Sequence, residues 1–546
     1  LSELSILTVN YLGKNFLTIS PSWELLLATA LIAGAIVCRS WQQPNNRAVG
    51  GISWAVELCL VEAILSLKGT ALELATANIL LGLLSLLLTH WLLSGQSRWS
   101  RLSSLEILPL LYAVIGFACR SQSFTAQTGL LTLGTALTGI GVGCRRREWK
   151  ILTYLSLAGI SLACYEAVIY QMLRASGASL ADGFTLLAAV SATIALAYRL
   201  FAWFWRERGK ETALNLSLRE ITIAAHLHWA IGSLLTLLAA LMAVGSTPRL
   251  TPISIAASLI LAAYALFQGR DREAAGKAND WWVYGGLVEI LGTLIYARLM
   301  WTQLSLLDPW LVPIACAAAL IIYPMPWRRW GWRSTPWQRS AIAIPASIAL
   351  STPEDISYLS LLAVAAFYAR IGIGKKNIRW SYISLGFLNW AIARWLSERQ
   401  LTDILWHGSI VGLSLLYIAQ VDPPLKAPHQ RQNRHHLRLL SSSLIALVAL
   451  LYHQDTAAIP ATIGLVGIFA GLGLRIRAFL FVGTTTFVVT VFYQLVVLTF
   501  AYSFLKWAIG LMAGIFLISI AANFEQRREQ IIIVWQNWMA QLNQWE

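Results

Sequence analysis

The stretch GIGVGCRRREWKILTYLSLAG, residues 139–159, joins two long apolar segments through a short basic turn. The segments on either side carry almost no charge, whereas the turn holds Arg145, Arg146, Arg147 and Lys150. In membrane proteins such basic residues collect in the cytoplasmic loops between membrane-spanning helices. The stretch therefore predicts two consecutive transmembrane helices that are joined on the cytoplasmic side.

The composition extends this prediction to the whole chain. Of the 546 residues, 57% are hydrophobic and only 12% are charged, and the mean hydropathy is +0.62. A soluble protein carries about 25% charged residues. The six cysteines form no CxxC pair and no cluster with histidines, so neither a disulfide framework nor a zinc site is indicated. The predicted fold class is an all-α polytopic membrane protein.

Nineteen apolar segments follow one another along the chain, and several are shorter than the ~20 residues that cross a bilayer. They cover residues 21–38, 50–67, 71–93, 105–119, 126–144, 149–173, 180–198, 221–244, 251–267, 281–300, 310–323, 340–351, 356–370, 380–396, 403–419, 438–453, 458–474, 478–500 and 504–523. Hydropathy alone therefore leaves the number of spans open.

The basic residues decide the number. Of the 41 lysines and arginines, 32 fall in the connections after odd-numbered segments or after the last one, and nine fall on the other side. A miscounted helix would mix the two sets, so the positive-inside rule predicts nineteen transmembrane helices. The N-terminus is then outside or in a lumen, and the C-terminus is cytoplasmic. The net charge of +15 becomes a property of the cytoplasmic face, which favours contact with anionic membrane lipids and predicts no nucleic-acid partner.

The basic turns recur with similar surroundings every four helices. Four of them have an aliphatic helix end, a Gly or Arg/Lys turn, and an aromatic residue followed by a glycine, and the first hairpin, 38–54, is a looser match. Aligned on these glycines, the copies lie 108, 126, 101 and 97 residues apart; the glycines are Gly51, Gly159, Gly285, Gly386 and Gly483. An even number of helices leaves all copies in the same orientation, so these are parallel repeats rather than the inverted repeats of many transporters.

The repeats divide the chain into seven parts. They are an N-terminal outer segment, 1–20, of a chain we expect to be truncated because it begins with Leu1; repeat 1, 21–119; repeat 2, 126–244; repeat 3, 251–351; repeat 4, 356–453; a partial repeat 5, 458–523; and a C-terminal segment, 524–546. In the last part Trp535, Trp538 and Trp545 recur at helical spacing opposite Gln and Asn, which predicts an amphipathic helix on the inner membrane surface. A partner-docking helix is the alternative.

The last two helices resemble the C-terminal end of a family of very large, many-span, repeat-built bacterial membrane proteins without an assigned function. The similar residues form a G-x-R-x-R hairpin with a later glycine, and an FE-x-R-R exit: Gly473, Arg475, Arg477, Gly483, Glu525, Arg527 and Arg528. The resemblance covers roughly 60 residues, and the Gln- and Trp-rich style looks cyanobacterial. It implies many spans, a bacterial inner or thylakoid membrane, and no established chemistry.

Four carboxylates lie inside the predicted spans. Helix 2 carries Glu57 and Glu62, and the equivalent helices 6 and 10 carry Glu166 and Glu289. A polar position that recurs on equivalent helices indicates a repeated hydrogen bond between helices. A proton or ion pathway is the functional alternative, since intramembrane acids are often functional.

Two further observations bear on these acids. Helices 14 and 18 have Asn389 and Thr484–Thr486 in the corresponding region, so a carboxylate is not required at the position. Pairing of the acids with Arg298 or Arg394 on neighbouring helices is a third possibility.

The remaining polar residues suggest few sites. The acidic pair Glu354 and Asp355 lies in an outer connection and is the candidate for an enzyme acting on lipid-linked donors. His226 and His228 point to different faces of helix 8, and a buried histidine is a possible haem or chlorophyll ligand. No metal site or catalytic motif is recognised.

These features favour a non-enzymatic integral membrane protein, a structural or accessory component of a membrane assembly that binds lipid. The first alternative is a transporter or channel that uses the intramembrane carboxylates. The second is a lipid-linked transferase. The expected partners are membrane lipids and a larger membrane protein complex, and bound lipid is expected rather than a pigment or haem.

Overall fold

A computed structural model describes residues 23–41, 45–94, 104–121, 123–145, 147–177, 179–207, 214–270, 280–353 and 356–545. Within these ranges the chain is helical and contains no strand. The all-α fold class is therefore confirmed.

Nineteen helices of at least 12 residues lie within the described ranges. Numbered in chain order, they are α1 (Trp23–Ser40), α2 (Asn46–Ser66), α3 (Ala71–Ser94), α4 (Ser104–Arg120), α5 (Thr128–Gly143), α6 (Lys150–Arg174), α7 (Leu180–Glu207), α8 (Leu218–Ala243), α9 (Thr251–Gln268), α10 (Asp280–Met300), α11 (Leu311–Ile322), α12 (Ser334–Ser351), α13 (Tyr358–Lys375), α14 (Trp380–Glu398), α15 (Ile404–Val421), α16 (Arg431–Tyr452), α17 (Ala458–Leu474), α18 (Arg477–Ala501) and α19 (Ser503–Gln544). Each overlaps one of the nineteen apolar segments.

Thirteen helical segments are long and apolar enough to cross a membrane. The helices α4, α5, α12, α14, α17 and α19 are shorter, less apolar or apolar over only part of their length. The described chain is thus compatible with a multi-pass membrane protein, while a total of nineteen spans remains a prediction.

Helical hairpins are the basic packing element. Each odd-numbered helix from α1 to α17 makes its most extensive contacts with the next helix: α1 with α2, α3 with α4, and so on to α17 with α18. The basic turn at residues 144–149 lies inside one of these hairpins, between α5 and α6. Consecutive antiparallel helices with short connections pack in this way because little chain entropy is lost in bringing them together.

The chain divides into two compact units, Leu1–Leu304 and Ser305–Glu546. In the first, α3–α6 and α7–α10 each pack as a group of two hairpins, and in the second, α11–α14 and α15–α18 do the same. These groups recur every four helices but begin two helices later than the repeats drawn from the sequence. The boundaries of the sequence repeats remain a prediction.

Close backbone packing is concentrated in the hairpin α17–α18. A Cβ atom added to Gly483 would lie 2.5 Å from the backbone nitrogen of Ile468, and one added to Gly467 would lie 2.9 Å from the Cα of Gly483. Arg475 ends α17 in the left-handed conformation (φ 55°), and Ile476 N–H donates to Gly471 O at 3.0 Å. These glycines let the two helix backbones touch, because any side chain would hold them apart.

The C-terminal helix differs from the sequence prediction. The expected separate surface helix at 524–546 is absent as an element of its own, because α19 is one continuous helix of 42 residues. The stretch FEQRREQ, 524–530, has no glycine or proline that would break a helix, and Glu, Gln and Arg favour its continuation. At its far end, the Trp545 carbonyl accepts a hydrogen bond of 2.5 Å from Arg431 Nη2 at the start of α16.

Candidate functional site

The acids of the first unit lie on α2, α6 and α10, and each has its own set of neighbours. Glu57 is buried, with 6% of its surface exposed, and Asn78 of α3 is fully buried beside it. Asn78 Nδ2 donates to Glu57 Oε1 at 3.0 Å, so the contact joins two helices from different hairpins. Within the described chain, Glu57 Oε2 and Asn78 Oδ1 have no hydrogen-bond partner.

Glu57 also borders a cavity of about 180 Å³ between α2 and α4. Tyr112 of α4 lines the same cavity, and its hydroxyl donates to the Ser53 carbonyl at 3.0 Å. The other lining residues are mainly aliphatic, including Ile107, Leu108 and Leu111. The cavity therefore offers one carboxylate but few other polar groups.

Glu62 lies five residues further along α2 and is fully buried. Neither of its carboxylate oxygens has a hydrogen-bond partner within the described chain. Because a five-residue step turns about 140° around a helix, Glu62 does not share the environment of Glu57. The two acids of α2 thus do not form a pair.

Glu166 is engaged by two helices of the same four-helix group. Arg120 Nη2, at the end of α4, lies 3.1 Å from Glu166 Oε1. Thr132 of α5 donates a hydrogen bond to the other carboxylate oxygen. The side chains of Arg120 and Glu166 are only 7% and 14% exposed, and the guanidinium also lies 4.3 Å from the ring centroid of Phe117. This is a buried ion pair that joins α4, α5 and α6.

Glu289 of α10 is half-buried and faces α9. Ser258 Oγ lies 3.2 Å from Glu289 Oε2 and 2.6 Å from Thr293 Oγ1, and Thr293 in turn donates to the Glu289 carbonyl at 2.6 Å. The acid borders a cavity of about 350 Å³ between α8, α9 and α10. More hydroxyl-bearing side chains line the cavity beside Glu289 than line the cavity beside Glu57.

The corresponding polar residues of the second unit also form hydrogen bonds. Asn389 of α14 and Ser414 of α15 exchange two, at 2.7 and 2.9 Å. Thr486 of α18 instead bonds within its own helix, to the Val482 carbonyl at 2.7 Å. The helices α2, α6, α10 and α14 thus each place a polar side chain in a hydrogen bond to another helix, whereas the Thr486 hydroxyl of α18 bonds within its own helix.

The two histidines of α8 point to different neighbours, as the sequence indicates. His226 Nδ1 lies 2.8 Å from the Tyr264 hydroxyl of α9, and its ring lies 4.5 Å from that of Trp282. His228 stacks on Tyr165 of α6, and its Nδ1 lies 2.9 Å from the Ala224 carbonyl. Among the described residues, no three His, Cys, Asp or Glu side chains are grouped as metal ligands.

Two predicted site residues lie outside the described chain, and two residues of the observed contacts were not predicted from the sequence. Glu354 and Asp355 lie outside the described residues. Arg120 pairs with Glu166, a contact that the sequence analysis did not name, and pairing of the acids with Arg298 or Arg394 stays a prediction. The sequence signal for Arg120 is its position at the end of an apolar helix on the side that carries few basic residues. Asn78 has a similar signal, as an amide within the apolar run of α3.

Comparisons of the chain with protein-family models, with curated proteins and with solved structures find no match. The resemblance in the last two helices therefore remains a prediction.

Proposed function

We propose that the protein is a non-enzymatic, multi-pass membrane protein that serves as a structural or accessory component of a membrane assembly. The observation that carries this proposal is the separate engagement of the acids: Glu57 with Asn78, Glu166 with Arg120 and Thr132, and Glu289 with Ser258. Polar side chains that bond between helices fix helix positions in a medium where apolar burial gives little preference.

In this proposal all nineteen helices cross a bacterial inner or thylakoid membrane, with the C-terminus in the cytoplasm. The basic connections then face anionic lipid headgroups, and the exposed aliphatic side chains face lipid tails. Support comes from the large apolar side chains exposed along the helices, such as Leu31, Leu155 and Leu173, each more than 60% exposed. Bound lipids and a partner complex belong to the same proposal.

The first experiment is gentle purification from the native membrane, followed by mass spectrometry of proteins and lipids and an absorption spectrum. A stoichiometric partner complex supports an accessory subunit. Recovery of the chain alone with one defined solute, and without a partner, contradicts it.

Glutamine variants distinguish the scaffold from the transporter alternative. The scaffold proposal expects Glu57→Gln and Glu166→Gln to lower the stability of the protein, without abolishing any proton-dependent flux in reconstituted vesicles. Unchanged stability together with lost flux would overturn the scaffold in favour of a transporter or channel.

A further inference from the structure

The cavity beside Glu289 has a carboxylate and several hydroxyl-bearing side chains among its lining residues. It measures about 350 Å³ and is bordered by one carboxylate and by six hydroxyl-bearing side chains: Ser233, Thr236, Ser254, Ser258, Thr293 and Tyr296. Most of the remaining wall is apolar or small, with Leu237, Val288 and Gly292. A largely apolar cavity of this size with a few convergent polar groups is typical of small-molecule sites.

Two of the hydroxyl groups have no partner of their own. Ser233 Oγ and Tyr296 Oη are buried without a hydrogen-bond partner in the described chain, and the Tyr296 residue is only 6% exposed. Buried polar groups are usually satisfied, since leaving one unpaired costs about 1–3 kcal/mol. Both residues line the cavity, and their hydroxyl groups have no hydrogen-bond partner in the described chain.

The charge of the cavity comes from Glu289. None of the lining residues is Lys, Arg or His, and within the described chain no basic side chain forms an ion pair with Glu289. Ser258 donates to Oε2, while Oε1 forms no hydrogen bond with any described residue. A carboxylate in an apolar region is stabilised most by a cation that approaches its open oxygen.

We infer that this cavity binds a lipophilic primary ammonium ion. The ammonium group has three donors, which match Glu289 Oε1 and neighbouring hydroxyl oxygens, and its charge complements the carboxylate. Trp229 and Tyr296 supply aromatic rings to the same wall, and such rings favour a cation. The apolar part of the ligand lies against Leu237, Val288 and Ala240.

The position of the cavity favours entry from the lipid phase. Leu237 and Val288, two of its lining residues, are 56% and 68% exposed, so the cavity opens on the surface of the helices. Both residues belong to helices that are long and apolar enough to cross a membrane. A lipophilic amine partitions into the bilayer and reaches the opening from there.

The test measures equilibrium binding of radiolabelled phenethylammonium to the full chain in lipid nanodiscs. We expect saturable binding of one ion per chain, and an affinity about tenfold or more lower in Glu289→Gln, because the charge-assisted bond is lost. The matched control Glu62→Gln, which replaces a buried acid outside this cavity that has no hydrogen-bond partner in the described chain, keeps the wild-type affinity. Equal affinity of Glu289→Gln and wild type overturns the inference.

Two further comparisons keep the test decisive. Neutral phenethyl alcohol and small methylammonium should both bind much more weakly. Tight binding of the alcohol refutes the role of charge, and tight binding of methylammonium refutes the lipophilic class.

If Glu289→Gln does not fold, binding to the variant Gly292→Leu tests the inference instead. A Cβ at Gly292 meets no atom within 4 Å and Gly292 lines the cavity, so we expect the leucine side chain to occupy the cavity, and retained binding in this variant overturns the inference.

Discussion

Arg120 Nη2 of α4 lies 3.1 Å from Glu166 Oε1 of α6, and the two side chains join the hairpins α3–α4 and α5–α6. The pair is almost fully buried, and Thr132 of α5 completes it. The charges compensate each other, so neither residue can be removed without leaving the other alone in an apolar setting.

Removing one member of this pair is therefore expected to destabilise the protein strongly. Arg120→Met or Glu166→Met should lower the free energy of unfolding by about 3–5 kcal/mol, and the double variant should lose much less than the sum. Unfolding in mixed micelles gives these values. Lys150→Gln is the control, since Lys150 Nζ lies 2.6 Å from Glu220 Oε1 in a more exposed pair and its loss should have a much smaller effect. Additive losses in the double variant would contradict the coupling.

Replacement of Glu62 is expected to raise stability, whereas replacement of Arg120 or Glu166 lowers it. Both of its carboxylate oxygens are buried without a partner, so Glu62→Met removes an unsatisfied group and should raise the free energy of unfolding by about 1–3 kcal/mol. Glu57→Met is the matched control on the same helix. It removes the acceptor of Asn78 and should lower stability. A loss of stability in Glu62→Met would indicate that this carboxyl has a partner in the membrane.

Gly483 and Gly473 of the C-terminal hairpin motif are expected to differ in how well they tolerate substitution by alanine. Gly483→Ala places a Cβ 2.5 Å from a backbone atom of α17 and should destabilise the α17–α18 hairpin by about 1–3 kcal/mol. A Cβ at Gly473 meets nothing within 4 Å, so Gly473→Ala should be neutral or stabilising by about 0.5–1 kcal/mol. Thermal unfolding of both variants tests the difference, and equal effects would show that this hairpin is not closely packed.

Asp403, at the start of α15, is expected to make the stability of the protein depend on pH. Its Oδ1 accepts from Leu405 N–H at 2.9 Å and lies 3.0 Å from His453 Nε2. The Leu405 hydrogen bond, with contributions from His453 and His407, holds the pKa of Asp403 below its usual value of 3.8. A carboxyl whose pKa is lower in the folded state stabilises the fold above its unfolded pKa, and this contribution disappears as the pH falls through the folded value.

The measurement compares unfolding of the wild type and Asp403→Asn between about pH 6 and about pH 2. Asparagine keeps the helix cap but does not titrate. The stability advantage of the wild type should be present at the upper pH and should shrink below about pH 4. An advantage that stays constant over this range would contradict a role for the Asp403 charge.

Much of the fold follows from the sequence because its signals are local. Each of the nineteen apolar segments overlaps a helix within the described ranges. A capping box at Ser217 and Glu220 begins α8, three residues before the apolar segment 221–244. Apolar runs and polar interruptions report directly on backbone structure, since in lipid every backbone group must be paired within the helix.

The contacts between helices were harder to predict. The pairing of Arg120 with Glu166 depends on how α4 and α6 pack, and their sequence separation of 46 residues gives no pattern to read. The continuity of α19 was missed because a charged stretch after an apolar run resembles a helix end. The cavity beside Glu289 depends on the shapes of three helices, although Gly285, Ser258 and Thr293 indicate a loosely packed, polar region.

The hairpin arrangement has a consequence for how the protein is made. The main interface of each helix is with its immediate neighbour in the chain, so a hairpin has its principal contacts as soon as its second helix has been synthesised. Contacts between helices that are neighbours in sequence form rapidly, because distant parts of the chain do not have to come together first. The chain can therefore assemble pair by pair in the order of translation, and an interrupted chain that ends after an even-numbered helix should still hold its completed hairpins in folded form.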